Sequence, residues 1–235
     1  MSHEAKIHEA QTTILRELLF LPEANFAVLQ RSTGLESDHA KFHIKRLVEL
    51  EYLEKNGSVY SLSIKGKEYA NKLDTDTNTI ERQPKSTTIM IVKNPRTGKF
   101  LIQQRLKNPY FGFWTFYSGK IRWGETIPET AVRETEEETG LITEPENWQW
   151  RGVYHEIVRH AATGEIVEDK LFYVMYTDKY SGKLMTDFEG GRNAWMTLDE
   201  VRQDPKHFHS FEIEARAATK NIGLVERVDE YSEEF

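Results

Sequence analysis

Residues 119–141 read GKIRWGETIPETAVRETEEETGL and place six glutamates between two glycines. Thr126 followed by Glu129 has the spacing of a capping box, Pro128 is tolerated in a first helical turn, and Gly140 is a natural stop. The stretch therefore predicts a helix over residues 127–139. Glu134, Glu137 and Glu138 stand at i, i+3 and i+4, so three carboxylates share one face. Pro128, Val132, Thr135 and Thr139 form a neighbouring stripe that can meet a core, with Glu129, Arg133 and Glu136 on the remaining side. Like charges at this spacing weaken a helix by a few tenths of a kcal/mol per pair, and partial burial costs more. A divalent cation relieves that repulsion directly, and clustered hard oxygen donors suit Mg²⁺ or Mn²⁺. The competing reading of an acidic run is a solvated helix face.

Strand signals surround this helix. TTIMIVKN (87–94) and KFLIQQRL (99–106) read as strands joined across PRTG, and WTFYSGKI (114–121) leads into the glutamate stretch. KLFYVMYTD (170–178) and NAWMTLDEV (193–201) supply later strand and helix signals. Periodicity alone predicts a strand-rich α/β domain with a few helices.

The chain of 235 residues, 38% apolar and 29% charged, is long enough for one large core or two small ones. A polar run, NKLDTDTNTIERQPKS from residue 71, reads as a linker. The expected division is an N-terminal piece over 1–73, a linker over 74–85, a larger domain over 86–222 and an acidic tail over 223–235. With no cysteine there is neither a disulfide framework nor a thiolate metal site, which fits a reducing, cytoplasmic location. No apolar run approaches the roughly 18 residues of a membrane helix, so no membrane partner is expected. The net charge of −7 argues against a globally basic nucleic-acid binder.

In the N-terminal piece, Ile14, Leu15, Leu18, Leu19 and Leu21 cluster at helical spacing, and a second helix is expected over 24–31, before Gly34. A third, capped by Ser37, carries the stripe Ala40, Ile44, Leu47 and Val48. Asn56-Gly57 is a hairpin turn signal, followed by VYSLS and the helical IKGKEYANKL. Three helices and a hairpin resemble the winged helix-turn-helix family, carried by LQRSTGLESDHAKFHIKRLVELEYL and NGSVYSLSIKGKEYA. That resemblance implies that the third helix enters the major groove, with Lys41, His43, Lys45 and Arg46 as candidate DNA contacts. Residues 1–80 hold 10 Lys plus Arg against 12 Asp plus Glu. The alternative is therefore a solvated face on a scaffold or homodimerisation domain.

The opening stretch resembles the Nudix box, Gly-x5-Glu-x7-Arg-Glu-U-x-Glu-Glu-x-Gly-U with U a bulky aliphatic. Gly119, Glu125, Arg133, Glu134, Glu137, Glu138, Gly140 and Leu141 keep every spacing. Thr135 departs from the aliphatic position, and Tyr117-Ser118-Gly119 stands where the family commonly has Pro-Gly-Gly. The resemblance implies an α/β/α sandwich on a mixed sheet and hydrolysis of a phosphoanhydride in a nucleoside diphosphate derivative. It also implies divalent-metal ligation by Glu134, Glu137, Glu138 and the Gly119 carbonyl, with Glu134 as general base and Glu125 and Arg133 orienting the box. Family members often add an acid from a loop before a late strand, for which Glu189 is the candidate. The proline that many ADP-ribose-cleaving relatives carry about 15 residues past the box is absent, which weighs against ADP-ribose. Tyr110, Phe111, Phe113 and Trp114 read either as core or lid, or as a base-stacking group. His155 and His160 read as structural.

Two functions follow: a metal-dependent nucleotide pyrophosphohydrolase with an appended winged helix, or a transcription regulator whose Nudix domain senses a nucleotide metabolite. The family's regulators tend to carry the winged helix after the Nudix domain and often have an eroded box, so this order and intact box favour catalysis.

Overall fold

The computed structural model describes residues 7–231 and divides into two compact units, Met1–Arg82 and Gln83–Phe235. In the first, α1 (Glu9–Phe20) is opened by His8, whose Nδ1 accepts the Ala10 N–H while Gln11 accepts the His8 N–H. The short strand β1 (Ala24–Asn25) leads into α2 (Phe26–Thr33), capped by the Asn25 side chain and ended at Gly34. Helix α3 (Ser37–Glu49) follows, and its buried Ala40, Ile44 and Leu47 match the expected stripe. Its N-cap is Glu36 rather than Ser37, which instead occupies the first helical position.

Strands β2 (Leu53–Asn56) and β3 (Val59–Leu62) form a hairpin, β1 adds to β3, and α4 (Ile64–Ala70) is capped by Ser63. Asn56 pairs with Val59, so the turn is Gly57-Ser58, one residue later than the Asn-Gly signal suggested. Only Gly57 takes the left-handed conformation, φ 60°. Ile14, Leu15, Leu29, Ile44 and Leu47 form the centre of this unit's core. The expected linker over 74–85 is corrected in part. β4 (Leu73–Asp74) and β5 (Thr79–Ile80) pair as a hairpin, because the Asp74 carboxylate accepts the Asp76 and Thr77 N–H groups and closes the turn.

The second unit begins with β6 (Lys85–Val92), whose apolar run is buried on both faces. Next come β7 (Phe100–Arg105), β8 (Trp114–Thr115) and β9 (Tyr117–Lys120), then α5 (Ile127–Thr139). β10 (Leu141–Ile142) and a 3-10 turn precede the long strands β11 (Gln149–His160) and β12 (Ile166–Thr177). The chain continues through β13 (Ser181–Gly182), β14 (Asp187–Phe188), β15 (Gly191–Met196), α6 (Leu198–Gln203), α7 (Phe211–Ala217) and β16 (Gly223–Tyr231). A mixed five-stranded sheet runs β16-β11-β12-β6-β9, with β16 parallel to β11 and β12 parallel to β6. An antiparallel sheet runs β14-β15-β7-β8.

Alternation along β6 separates two cores. Ile89 and Ile91 join Phe172 and Val174 with Val201 of α6 and Phe211 of α7. Met90 and Val92 face the other way, with Ala131 of α5, Tyr117 and Met175. Helices thus cover both faces, giving a layered α/β unit.

The acidic tail expected over 223–235 is corrected for its described part, since residues 223–231 are strand β16; residues 232–235 lie outside the described residues. The charges in LVERVDEY conceal an alternation in which Val225, Arg227, Asp229 and Tyr231 lean inward while Leu224, Glu226, Val228 and Glu230 are exposed.

Candidate active site

The glutamate helix has the bounds its sequence predicts, Ile127–Thr139, with the Thr126–Glu129 capping box formed and Gly140 in the left-handed conformation at φ 71°. Arg133 anchors its face. Its guanidinium holds Glu125 bidentately at 2.5 and 2.8 Å, bonds Glu134 at 2.6 Å and Glu137 at 3.2 Å, and donates to the Lys120 carbonyl. The Arg133 side chain is only 16% exposed, so the Arg133–Glu125 fork is not an ordinary surface pair. The same fork, with the Arg122 N–H and the Thr130 hydroxyl, holds the Glu125 carboxyl down at about 2. The two carboxylates also hold the Arg133 guanidinium more firmly protonated.

Strand β9 lies over Glu134. A Cβ on Gly119 would fall 2.0 Å from the Glu134 carboxyl carbon, so only glycine lets the strand backbone approach this carboxylate. Glu138, one turn on, accepts from Gln103 at 3.0 Å. Burial, with the Glu134 charge adding, pushes its carboxyl up. The Asn193 amide donates to the Glu138 and Met185 carbonyls, tying the end of the helix to β15.

These groups edge a cleft of about 650 Å³ between strands β6, β7, β9 and β12. Gly119, Glu134 and Glu138 stand at its wall together with six cations, Lys85, Arg105, Lys107, Lys120, Arg122 and Lys170. Such a wall neutralises a polyanion such as a diphosphate. None of the six was singled out from sequence, because they come from separated strands and loops that only the sheet topology brings together. The one local signal, a basic residue at a strand end, holds for Lys85, Arg105 and Lys120.

Of the expected site residues, Gly119, Glu125, Arg133, Glu134, Glu137 and Glu138 come together. Glu137 is half exposed and turned toward Arg122 at 3.2 Å and Arg133. Glu189 is exposed in the turn between β14 and β15 and does not line the cleft. Among the described residues no three acidic or imidazole groups converge closely enough to enclose a cation by themselves. The oxygen-only donor set, with the Gly119 cradle over Glu134, nevertheless fits Mg²⁺ or Mn²⁺. Mg²⁺ characteristically uses one or two carboxylates and completes its shell with water and substrate phosphates.

In the first unit, Lys41, Lys45 and Arg46 are exposed on α3, the last two sharing Glu49 at 3.7 and 3.2 Å. His43 is corrected as a surface contact. It is half-buried, its ring stacked on His8 at 4.6 Å, because the α3 stripe turns it toward the start of α1.

A family model described as NUDIX domain matches residues 83–216. The uncharacterized Nudix hydrolase YvcI of Bacillus subtilis is 29% identical over 101 residues, covering 43% of this chain and 61% of that protein. The ADP-ribose pyrophosphatase of Methanocaldococcus jannaschii is 32% identical over 103 residues, covering 42% of this chain and 59% of that protein. The matches thus span about three-fifths of the length of these curated relatives. Among solved structures, a MutT protein of Bacillus halodurans shares the fold, with a TM-score of 0.53, 24% identity, and coverage of 64% of this chain and 92% of that one. No helix among the described residues is long and apolar enough to cross a membrane.

Proposed function

Because the chain belongs to the Nudix family, we propose that its second unit is a metal-dependent hydrolase that cleaves a phosphoanhydride in a nucleoside diphosphate derivative. The observation that carries this reading is the juxtaposition, in one cleft, of six cations with Glu134 and Glu138 beside Gly119. Arg105, Lys107, Lys120, Arg122 and Lys170 neutralise and orient the phosphate oxygens, the largest demand of phosphoryl chemistry. Glu134, Glu137, Glu138 and the Gly119 carbonyl would hold Mg²⁺ or Mn²⁺. When bound, such an ion supplies charge neutralisation and lowers the pKa of a bound water. Water adds to one phosphorus, the bridging P–O bond breaks, the leaving phosphate departs with the bridging oxygen, and Glu134 takes the water's proton. Arg133 holds Glu134, and Glu125 holds Arg133, so the base is kept in position by two successive ion pairs.

The test is hydrolysis of a panel of nucleotide diphosphate derivatives, ADP-ribose included, with Mg²⁺ or Mn²⁺. Glu137→Gln and Glu138→Gln are expected to lose activity; unchanged turnover in both would refute the assignment.

The first unit supports a second reading. Its α2–α3 pair followed by the β2–β3 hairpin supports a winged helix-turn-helix in which Lys41, Lys45 and Arg46 meet DNA phosphates. A gel shift with the protein's own upstream DNA at low salt, where such contacts are strongest, checks it; no shift there excludes DNA binding.

A further inference from the structure

Behind the cation-lined cleft lies a second chamber of about 140 Å³. The two spaces share Arg105, Pro109, Ser118, Glu168, Lys170 and Phe172 as lining, so the chamber opens onto the cleft. Its inner wall is aromatic: Tyr110, Phe116, Phe208 and Tyr231 line it, with Tyr110 packed edge-on against Phe208 at 4.9 Å and Tyr231 at 5.4 Å. Glu156 from β11 and Glu214 from α7 also line it, 9% and 5% exposed.

The two carboxyls are out of place in a plain core. Nearby Glu168 pairs with Lys170 and Lys85, and buried Asp229 with Arg227. Glu156 and Glu214 have no ion pair among the described residues; Glu156 accepts the Tyr154 hydroxyl and Glu214 the Thr115 hydroxyl, each at 2.8 Å, and Glu214 also accepts the Phe116 backbone N–H. Burial pushes both carboxyls up, Glu214 to about 7. Buried carboxyls without a cation are costly unless a partner donates to them.

We propose that this chamber is a base-selective subsite that takes one six-membered ring with an exocyclic amine, a cytosine-type base, read by Glu156 and Glu214. The inference rests on the outer cleft being the phosphate site. Size sets the ring: a cavity of about 150 Å³ accepts benzene, so this chamber suits a single ring and is short for a purine. Chemistry sets the base. In its ionised form a glutamate accepts from the cytosine N4 amine, whereas uracil turns its O4 acceptor toward the same carboxylate, and an amine donor favours ionisation of a carboxyl that burial has raised. The aromatic wall supplies the stacking face.

Calorimetric titration at about pH 8, above the value to which burial raises Glu214, with CMP, UMP, AMP, GMP and pyrophosphate, each with Mg²⁺, tests this without requiring turnover. CMP is expected to bind about tenfold more tightly than UMP, AMP or GMP, roughly the value of one hydrogen bond to a charged group. Glu214→Gln and Glu156→Gln should remove most of the CMP preference over UMP while pyrophosphate affinity stays within about twofold, since additive effects are expected at separate sites. Phe208→Ala, which enlarges the chamber, should narrow the gap between CMP and GMP. A purine monophosphate binding as tightly as CMP, or a CMP preference intact in both glutamine variants, overturns the subsite while leaving the hydrolase reading in place. Failure of pyrophosphate to bind removes the phosphate site itself, and both readings fall.

Discussion

The Tyr117 hydroxyl lies 2.8 Å from the Thr135 hydroxyl, joining β9 to α5 in the buried layer beneath the active-site face. Both residues depart from the family's usual pattern, and the departures satisfy one another. Thr135 also bonds the Ala131 carbonyl at 2.6 Å, so it donates to the backbone and accepts from Tyr117. Thr135→Val alone leaves a buried phenol hydroxyl unpaired and should cost about 1–3 kcal/mol. Tyr117→Phe should cost about 1 kcal/mol, and the double variant less than the sum of the two. Urea unfolding of the four proteins gives the coupling; strict additivity would show that the contact contributes nothing.

Gly119→Ala should act on chemistry more than on folding. The added methyl would meet the side chain of Glu134, which can swing away, rather than the backbone. A carboxylate displaced by about 1 Å can cost on the order of 100-fold in rate. Turnover should fall by that order with the melting temperature little changed; a variant that keeps full turnover would show that Glu134 need not stand under the strand.

The Arg133–Glu125 fork predicts an acid dependence of stability. Glu125 is held at about 2, below its ordinary value of 4.5, so its contribution is fully present above pH 4.5 and fades as pH falls toward 2. The difference in urea midpoint between the parent protein and Glu125→Gln should therefore be constant near neutrality and shrink below about pH 4.5. Arg133→Lys, which cannot reproduce the fork, should lower kcat while leaving the fold intact.

His155 predicts the opposite sign. Its ring lies between Asp169 of β12 at 2.8 Å and Glu226 of β16 at 3.2 Å, and these carboxylates raise its pKa against some burial. Stability from the protonated ring is present below the unfolded histidine pKa and is lost as pH rises through the higher folded value. Melting temperatures of the parent and His155→Gln should diverge in mild acid and converge in mild alkali. A gap that widens with pH would contradict this.

The glutamate helix was legible because capping box, carboxylate spacing and stop glycine are all local signals. Strand β6 was legible from an unbroken apolar run. The cation wall was not, since Lys85, Arg105, Lys120 and Lys170 acquire meaning only once β6, β7, β9 and β12 are ordered in space. Neither was the aromatic chamber, whose Phe116 and Tyr231 are more than a hundred residues apart. Glu156 and Glu214 carry no signal of their own in the sequence, because burial cannot be read from residue type. At Gly57-Ser58 the hairpin signal was right and its register one residue off, a margin that tertiary pairing decides.

Strand β16 begins beyond the last residue of the family match, yet it runs along β11 from Gly152 to His160 in parallel register. A protein shortened to residue 216 would strip the partner from a nine-residue stretch of β11, leaving the N–H and C=O groups of its alternate residues unsatisfied along a naked border, open to a neighbouring copy of the same strand. Shortening at the apparent limit of the domain should thus yield a sticky, self-associating product, and recovery of a monodisperse one would require the sequence through Tyr231.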